Sequence, residues 1–326
     1  MILTIFLPNA GCKYRCKFCN QYSMTGEKMP SLNYLKDYFN RFNNQSPKEI
    51  AFYGGTFTGL KLETQLTYLK LVQSFFPNTP IRISTRPDEI NDENLKILKQ
   101  YNVKIVELGI QSMYNDVLKA SGRGHSVEDN VNAIKKLLEN NFIVSAHLMV
   151  GLPKDSFSKD LNSFKELIEL NVKLFRIHPT IVFKNTLLEN EYYSGTYVPL
   201  DINEALDICS EQILISFAYN VKIIRLGYFV PEEQKKQIIA GPYHPSFGDI
   251  AKAKAIKKII QRLKIKNVYF PKKYESWFYA YGNKNLDIKR NIWDGNLKFE
   301  EFSLQEASKL ALKERKKKCG TIKNNQ

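Results

Sequence analysis

The chain has 326 residues, of which 43% are hydrophobic and 25% are charged, and this composition is typical of a globular protein. No apolar run is long enough to span a membrane, and the apolar start, MILTIFLP, lacks a basic leader, so we expect no signal peptide. The net charge of +15 is uneven, because residues 231–326 hold 22 Lys/Arg and 10 Asp/Glu, against 26 and 23 in residues 1–230. The last third is therefore expected to bind a polyanionic partner.

Short β-rich segments alternate with helical patterns along the first 230 residues. Strands are predicted at 2–8, 49–54, 81–85, 104–110, 142–151 and 173–179, and helices at 31–42, 61–76, 91–101, 126–141, 158–171 and 202–219. Ser31 and Ser126 are the predicted N-caps of two of these helices. Six strand–helix units predict a parallel sheet, either open and doubly wound or closed toward a barrel. In both architectures the chemistry belongs at the carboxyl ends of the strands.

The pattern changes near residue 221. The segment KIIRLGYF (222–229) is compatible with one more strand, and a long basic helix is predicted at 247–264. A strand at 267–271, the aromatic block YESWFYAYG (274–282) and a helix at 303–318 follow. We therefore place a boundary between residues 1–230 and a basic C-terminal extension, residues 231–326.

Three of the five cysteines are crowded into GCKYRCKFCN, with Cys12, Cys16 and Cys19 in the spacing C-x3-C-x2-C. This is a poor disulfide framework, since the other two cysteines are isolated, and it favours a metal site in a reducing compartment. Cys209 lies in an amphipathic helix and is interpreted as a core thiol, whereas Cys319 in the basic tail is interpreted as incidental.

Two kinds of metal site are compatible with these three thiols. Structural zinc needs four ligands, and no second cysteine pair exists, although one of the four histidines would complete a Cys3His set. A [4Fe–4S] cluster fits better, because three thiolates leave one iron with an open position. Lys13, Arg15 and Lys17 stand in the same loop and are expected to offset the negative charge of such a cluster.

The segment CKYRCKFC resembles the CxxxCxxC signature of the radical S-adenosylmethionine superfamily, including the aromatic Phe18 before the last cysteine. This resemblance implies a [4Fe–4S] cluster on Cys12, Cys16 and Cys19, with S-adenosylmethionine at the unique iron. It implies reductive cleavage to a 5′-deoxyadenosyl radical, a reductant such as flavodoxin or ferredoxin, no membrane partner and a cytoplasmic location. The implied fold is α/β, a partial (β/α)6 TIM-like barrel of radical SAM type with a small basic C-terminal α+β extension.

Further motifs resemble the cofactor contacts of this superfamily. YGGTFTG resembles its GGE-type motif, whose backbone receives the methionine amino group. ELGIQS and GRGH resemble the glutamine and arginine that hold the cofactor in radical coproporphyrinogen oxidases, and HLMVGLP resembles the motif near the adenine. The resemblance implies these cofactor contacts: Phe18, Gly54, Gly55, Thr56, Ser84, Gln111, Arg123 and Met149.

Two positions depart from the coproporphyrinogen oxidase pattern. Ser84 stands where that family has a glutamate, and His147 stands where it has an aspartate, so porphyrin decarboxylation is not expected. A closer resemblance is to the radical core of the Elongator catalytic subunit, which modifies the wobble uridine of tRNA. YGGTFTGL, STRPD, ELGIQS, RGH and HPTIVFKNTLLENEYYSGTYVPL occur in the same order within residues 5–230. GPYHPSFGDI (241–250) resembles stand-alone bacterial relatives that have no acetyltransferase domain, so acetyl transfer is not inferred.

RNA is the substrate that resemblance and charge favour. His178 and Lys184, just past the sixth strand, are the expected substrate contacts. Six basic residues of the predicted helix 247–264 and the aromatic block 274–282 suit unpaired nucleotides, although a solvated helix face and a hydrophobic cover for the barrel edge are alternatives. The six are Lys252, Lys254, Lys257, Lys258, Arg262 and Lys264. Two other functions stay open: a non-catalytic metal-stabilised RNA-binding module, and a radical enzyme for a small metabolite such as a tetrapyrrole.

Overall fold

The computed structural model describes the backbone of residues 1–323 and the side chains of residues 1–315, so the side chain of Cys319 lies outside the described part. The strands are β1 (Ile2–Leu7), β2 (Glu49–Gly54), β3 (Ile81–Thr85), β4 (Val103–Gln111), β5 (Ile143–Val150), β6 (Leu174–Pro179), β7 (Val182–Phe183), β8 (Lys222–Leu226), β9 (Ile238–Ala240), β10 (Asn267–Phe270), β11 (Lys289–Ile292), β12 (Lys298–Phe299) and β13 (Phe302–Ser303). The helices are α1 (Gln21–Thr25), α2 (Leu32–Asn40), α3 (Leu62–Phe75), α4 (Asp92–Gln100), α5 (Asn115–Ala120), α6 (Val127–Glu139), α7 (Phe157–Glu169), α8 (Leu187–Tyr193), α9 (Ile202–Tyr219), α10 (Phe247–Leu263), α11 (Glu275–Tyr279) and α12 (Leu304–Lys323). In the part of the chain described, none of these helices is both long and apolar enough to cross a membrane.

Seven strands form one parallel sheet in the order β1-β2-β3-β4-β5-β6-β8. This order follows the chain, so right-handed crossovers place the connecting helices on one face and the sheet curls into a half-barrel. The doubly wound alternative needs a point where the strand order reverses, and the sheet has none. The predicted α/β partial barrel is therefore confirmed, and β8 is the additional strand compatible with 222–229.

Capping residues determine where several helices begin. Ser31 and Ser126 accept backbone N–H groups at the starts of α2 and α6, as predicted, and Ser126 forms a capping box with Asp129. The four short helices α1, α5, α8 and α11 were not predicted, because five to seven residues carry too little periodicity to indicate a helix.

The two faces of the sheet differ in polarity. On the outer face, apolar strand residues such as Leu3 and Ile5 are buried in one core with helix residues such as Phe39. The inner face carries ionised groups that are paired with each other. Arg82 donates to Glu49 at 2.6 Å and to Glu107 at 2.8 Å, which satisfies charges that would be costly if left alone.

The C-terminal residues add helices and a second sheet. Helices α10 and α12 pack on α9, and β9 pairs antiparallel with β7. The second sheet has the order β11-β10-β12-β13, with β10 and β11 parallel and the remaining pairs antiparallel. This confirms the small α+β extension, and we propose residue 230 as the point where the extension starts.

Candidate functional site

The three crowded cysteines lie in the loop between β1 and α1, at the carboxyl end of the sheet. All three are free and half-buried. Each sulfur has one polar neighbour: Thr56 Oγ1 lies 3.3 Å from Cys12 Sγ, Arg123 Nη1 donates to Cys16 Sγ at 3.1 Å, and Asn9 Nδ2 donates to Cys19 Sγ at 3.8 Å. Because Thr56 and Arg123 come from distant parts of the chain, the fold as well as the loop orients the sulfurs.

The donor set fits a cluster rather than one metal ion. Within residues 1–315, no three His, Cys, Asp or Glu side chains lie close enough together to hold a single ion. Sulfur ligands of one zinc ion all lie about 2.3 Å from it, whereas the thiolates of a [4Fe–4S] cluster each bind a different iron. Three free cysteines on one loop match the second arrangement, with one iron left open.

Burial and charge act on the thiols in opposite directions. Burial raises the pKa of Cys12 and raises the pKa of Cys19 to about 12, and the neighbouring cysteines add to both shifts. The guanidinium of Arg123 opposes these shifts at both thiols, and that of Arg86 opposes the shift at Cys12. Cluster assembly therefore has to displace protons from the sulfurs, and positive charge near them favours this.

Two of the three cations of the loop itself are engaged elsewhere. Lys13 forms an ion pair with Glu89, and Lys17 forms one with Glu191. The expectation that these two lysines offset the charge of a cluster is therefore wrong. Arg123 takes this position, because it is buried and donates directly to a sulfur.

The end of β2 is clamped against the cysteine loop by two glycines. Gly54 has φ +106°, and a Cβ there would lie 2.7 Å from the carbonyl oxygen of Leu7. A Cβ on Gly55 would lie 2.0 Å from the carbonyl oxygen of Ala10, which itself accepts from the backbone N–H of Thr56 at 2.7 Å. Glycines are required because the two backbones touch.

Gln111 and Arg123 lie together on the rim of the sheet. Gln111 has φ +68°, which is unfavourable for a residue with a side chain, and its buried Oε1 has no partner among the described residues. Arg123 donates to the Gly109 carbonyl, and a Cβ on Gly109 would lie 3.1 Å from Arg123 Nη2 and 3.2 Å from Gln111 Nε2. The unpartnered amide oxygen of Gln111 and the buried guanidinium of Arg123 therefore lie close together, and both groups are suited to bind a polar ligand.

The remaining expected cofactor contacts lie on either side of this rim. Phe18 and Met149 are buried in one apolar cluster against which Cys16 and Cys19 pack. Ser84 is the penultimate residue of β3 and lines a small cavity with Gly55, Thr56 and other residues of the β1 and β2 ends. The structure therefore brings the expected contacts to the same end of the half-barrel as the cysteines.

The two expected substrate contacts are separated. His178 is part of β6, within the predicted strand 173–179 and not just past it, and it faces His147 on β5, with His147 Nε2 and His178 Nδ1 3.0 Å apart. The buried Nε2 of His178 has no partner within residues 1–315. Lys184 is exposed, and its backbone N–H donates to the Gln237 carbonyl.

Three cations of the basic helix α10 are paired with carboxylates of α9. Lys254 and Lys258 bind Asp207 at 2.9 Å and 3.2 Å, and Lys258 and Arg262 also bind Glu211. Both carboxylates belong to α9, against which α10 packs. The expected nucleic-acid surface on this helix is therefore not formed by these three residues, which instead fasten α10 to the half-barrel.

The aromatic block 274–282 is divided between core and surface. Phe278 is fully buried and stacks on Phe270 with ring centroids 4.3 Å apart, and Trp277 stacks on Phe217 at 5.9 Å. Tyr279 and Tyr281 are exposed. The central residues of the block are therefore core residues, which pack on β10 and α9 and not on the edge of the half-barrel.

Several residues of the site were not predicted. Gln21 donates to the Gly54 carbonyl at 2.8 Å and exchanges hydrogen bonds with Asn9, which closes the cysteine loop at its base. Arg86 is buried behind the loop, and Tyr228 packs on His178 with ring centroids 4.3 Å apart. The RPD motif that contains Arg86 was a usable signal, whereas nothing local distinguishes Asn9, Gln21 or Tyr228.

Comparison with protein families gives two matches. Residues 6–167 match the model of the Radical SAM superfamily, and residues 172–258 match the Radical_SAM C-terminal domain. The two matched segments follow each other and together span roughly three quarters of the chain.

Curated relatives match parts of the chain. It is 30% identical over 210 residues to an uncharacterized protein of Methanocaldococcus jannaschii, covering 63% of each protein. It is 35% identical over 131 residues to the tRNA uridine(34) acetyltransferase of Methanocaldococcus infernus, covering 39% of this chain and 24% of that protein. It is 28% identical over 193 residues to Elongator complex protein 3 of Saccharomyces cerevisiae, covering 58% of this chain and 33% of that protein. The chain thus spans less than two thirds of the length of each of these relatives.

Two solved structures share the fold. The archaeal Elp3 of Methanocaldococcus infernus superimposes with a TM-score of 0.60 at 22% identity, covering 79% of this chain and 63% of that one. Coproporphyrinogen III oxidase of Escherichia coli superimposes with a TM-score of 0.51 at 19% identity, covering 67% of this chain and 52% of that one. At these identities the similarity shows the architecture alone.

Proposed function

Because the chain belongs to the radical S-adenosylmethionine superfamily, we propose that it is an enzyme that abstracts a hydrogen atom from RNA. Its cofactors are a [4Fe–4S] cluster and S-adenosylmethionine. When bound, the cluster supplies the electron that cleaves S-adenosylmethionine reductively. The observation that carries the proposal is the half-buried trio of free thiols with Arg123 donating to one of them.

In this proposal each residue of the site has a role. Cys12, Cys16 and Cys19 bind three irons, and the glycine clamp at the end of β2 holds their loop against the sheet. Gln111 and Arg123 orient the polar end of S-adenosylmethionine, since one offers an unpaired amide oxygen and the other a buried guanidinium. The backbone around Gly54, Gly55 and Thr56 and the side chain of Ser84 contact the same ligand, and Phe18 and Met149 provide an apolar wall for the adenine.

His178 is the proposed substrate contact inside the half-barrel. It is adjacent to Met149 in the strand register, and its Nε2 has no partner within the described residues. Lys184 is the proposed contact for the part of the substrate that stays outside, because its side chain is exposed. An external reductant of the flavodoxin or ferredoxin type is required to deliver the electron.

RNA as the substrate is supported by the similar proteins and by charge. Two of the similar proteins are a tRNA uridine(34) acetyltransferase and Elongator complex protein 3, and the name of the first states that it acts on tRNA. The net charge of +15 favours a polyanion. Ser84 and His147 depart from the coproporphyrinogen oxidase pattern, which argues against a tetrapyrrole as the substrate.

The test uses protein that is purified and reconstituted without oxygen. Wild type should hold about four irons per chain and release 5′-deoxyadenosine when reduced with dithionite in the presence of S-adenosylmethionine. Cys16→Ala should lose both, whereas Cys209→Ala, in the core of α9, should keep both. Cluster-loaded wild type that neither binds nor cleaves S-adenosylmethionine would contradict the proposal.

The substrate is tested separately. RNA from a strain that lacks the protein is incubated with the reconstituted enzyme, and its nucleosides are compared by mass spectrometry. A nucleoside that changes only with wild type and not with Cys16→Ala supports RNA as the substrate. RNA affinity that survives Cys16→Ala, combined with no cofactor cleavage by wild type, would indicate a non-catalytic RNA-binding module instead.

A further inference from the structure

We propose that one face of the C-terminal sheet is a binding site for single-stranded RNA. This outer sheet face consists of Asn267, Tyr269, Lys289, Asn291 and Lys298, with Trp293 directly after β11. It lies beyond both family matches, which end at residues 167 and 258. The inference rests on the proposed function only for the identity of the RNA, because the binding surface itself contains no residue of the cofactor site.

The strand register places these residues on one side of the sheet. Tyr269 is opposite Asn291 on one neighbour and opposite Lys298 on the other, and Asn267 is opposite Lys289. Among the residues of the other parity, Val268, Phe270 and Phe299 are completely buried, whereas Ile292 at the end of the edge strand β11 is 56% exposed. The outer sheet face is therefore turned away from the core.

Two aromatic rings stand next to each other on this face. Tyr269 and Trp293 meet edge to face, with ring centroids 5.9 Å apart, and Trp293 is 36% exposed. The indole is held in place, because its Nε1 donates to the Asn296 carbonyl at 3.0 Å and Gly295 packs against it without a Cβ. A ring that is ordered before binding loses little entropy when a base stacks on it.

Positive charge accompanies the rings. The ammonium of Lys298 lies over the Trp293 ring, 5.3 Å from its centroid. Neither Lys289 nor Lys298 forms an ion pair within residues 1–315, in contrast to Lys254, Lys258 and Arg262 of α10. Residues 264–300 as a whole hold eight Lys/Arg and four Asp/Glu. These lysines remain available for phosphate groups.

This combination fits a single strand better than other polyanions. A duplex hides the faces of its bases, whereas unpaired bases stack on exposed aromatic rings while the adjacent phosphates meet lysines. A stacking base displaces Lys298 from the indole toward a phosphate, which is favourable because an exposed lysine–aromatic contact is weaker than base stacking. An acidic protein segment would use the lysines but leave the rings without partners.

The outer sheet face lies at the far end of the half-barrel from the cysteine loop. Helix α10 begins beside the carboxyl end of β8, where Gly248 meets the Leu226 carbonyl, and it runs 17 residues before β10. That length is about 25 Å. The start of α12 is bonded to the C-terminal end of α9, since Gln305 Nε2 donates to the Ala218 carbonyl at 3.1 Å. The site therefore anchors a part of the RNA that is distant from the reacting nucleotide.

The experiment uses the full-length reconstituted protein and a fluorescein-labelled oligouridylate of about 12 nucleotides. Binding is followed by anisotropy at several salt concentrations. Trp293→Ala and Tyr269→Ala should each weaken binding about tenfold, while Tyr269→Phe should retain it. Lys298→Gln should make the slope of log affinity against log salt shallower by about 0.7, the value for one phosphate contact on a single strand.

Matched controls and a site-specific signal complete the test. Tyr193→Ala removes an exposed tyrosine of α8, and Lys104→Gln removes an exposed lysine of β4, and both should leave affinity unchanged. Trp277→Phe leaves Trp293 as the only tryptophan, whose fluorescence should be quenched by oligouridylate and not by a blunt RNA duplex.

Three results would overturn the inference: no binding, equal affinity of all these variants, or competition by polyglutamate as effective as by RNA. The last would indicate an acidic protein partner. Release of 5′-deoxyadenosine without RNA should be the same in every variant, so a failure here is distinct from a failure of the proposed enzyme activity.

Discussion

His147 and His178 face each other inside the half-barrel and are neutral in the folded protein. Burial lowers the pKa of His147 to about 3, with smaller effects from Arg176 and Arg123. Burial also holds the pKa of His178 well below its usual value, and His147 and Arg176 add to this shift. One ring therefore donates a hydrogen bond to the other, and the buried Nε2 of His178 has no hydrogen-bond partner within residues 1–315.

This neutrality predicts a loss of stability in mild acid. The unfolded histidines bind protons near pH 6.5 and the folded ones do not, so this contribution to stability is complete above about pH 6.5. It declines as the pH falls toward 3. When the pH is lowered from 7.5 to 5.5, the free energy of unfolding in urea should fall by about 1 kcal/mol less for His147→Gln than for wild type. The two proteins losing the same amount would show that His147 titrates normally.

The glycine clamp gives a second prediction at the scale of single residues. Gly54 and Gly195 both have positive φ, but only Gly54 has backbone in the way of a Cβ, since nothing lies within 4 Å at Gly195. Gly195→Ala should cost about 1–2 kcal/mol of unfolding free energy, the usual penalty of the left-handed conformation. Gly54→Ala should cost more than about 3 kcal/mol and lower the iron bound per chain. Equal effects in denaturant unfolding would mean that the loop does not need the close approach.

At the scale of elements, α9 and α10 are joined by ion pairs around one carboxylate. Glu211 is 1% exposed and meets Lys258, Arg262 and Arg315. These cations come from α10 and α12, so a single acidic residue connects three helices. Three basic residues of α10, Lys254, Lys258 and Arg262, are thus explained by packing against α9.

We predict that Glu211→Gln destabilises the protein strongly. Removing one partner of a buried ion pair leaves uncompensated charge in the interior, which typically costs about 3–5 kcal/mol. Glu139→Gln, at an exposed position of α6, should change the unfolding free energy by less than about 0.5 kcal/mol. Both are measured by urea denaturation at pH 7.5. A cost below about 1 kcal/mol for Glu211→Gln would show that solvent reaches the cluster of charges.

At the scale of the whole molecule, the extension is part of the folding unit. Helix α9 is buried on nearly every side, with Ile208, Leu214 and Ile215 among its covered residues. Its neighbours are the half-barrel on one side and α10 and α12 on the other. A helix that is apolar all round needs cover on all sides. The proposed boundary at residue 230 therefore separates two regions that fold together.

This arrangement predicts one cooperative unfolding transition for the full chain. Differential scanning calorimetry and far-ultraviolet circular dichroism should give the same midpoint. A chain that ends at residue 230 should expose α9, show no cooperative transition and aggregate. Folding of residues 1–230 alone into a stable half-barrel would refute this and would make the extension a separate domain.

Contiguous residues were sufficient to predict much of this protein. Strand and helix periodicity, the caps at Ser31 and Ser126, and the C-x3-C-x2-C spacing are local properties, and they led to the parallel sheet and the cysteine loop. The barrel followed from resemblance, because periodicity cannot report the order of strands in space.

Only the tertiary structure decided which side chains meet. Lys258 and Glu211 are 47 residues apart in the chain, so the sequence showed a basic helix where the fold has a neutralised one. His178 was expected at the end of the sixth strand, but nothing in its neighbourhood indicates a partner 31 residues earlier. Alternation along a strand shows that two faces exist, but the charge that remains free on each face depends on groups that folding brings from elsewhere.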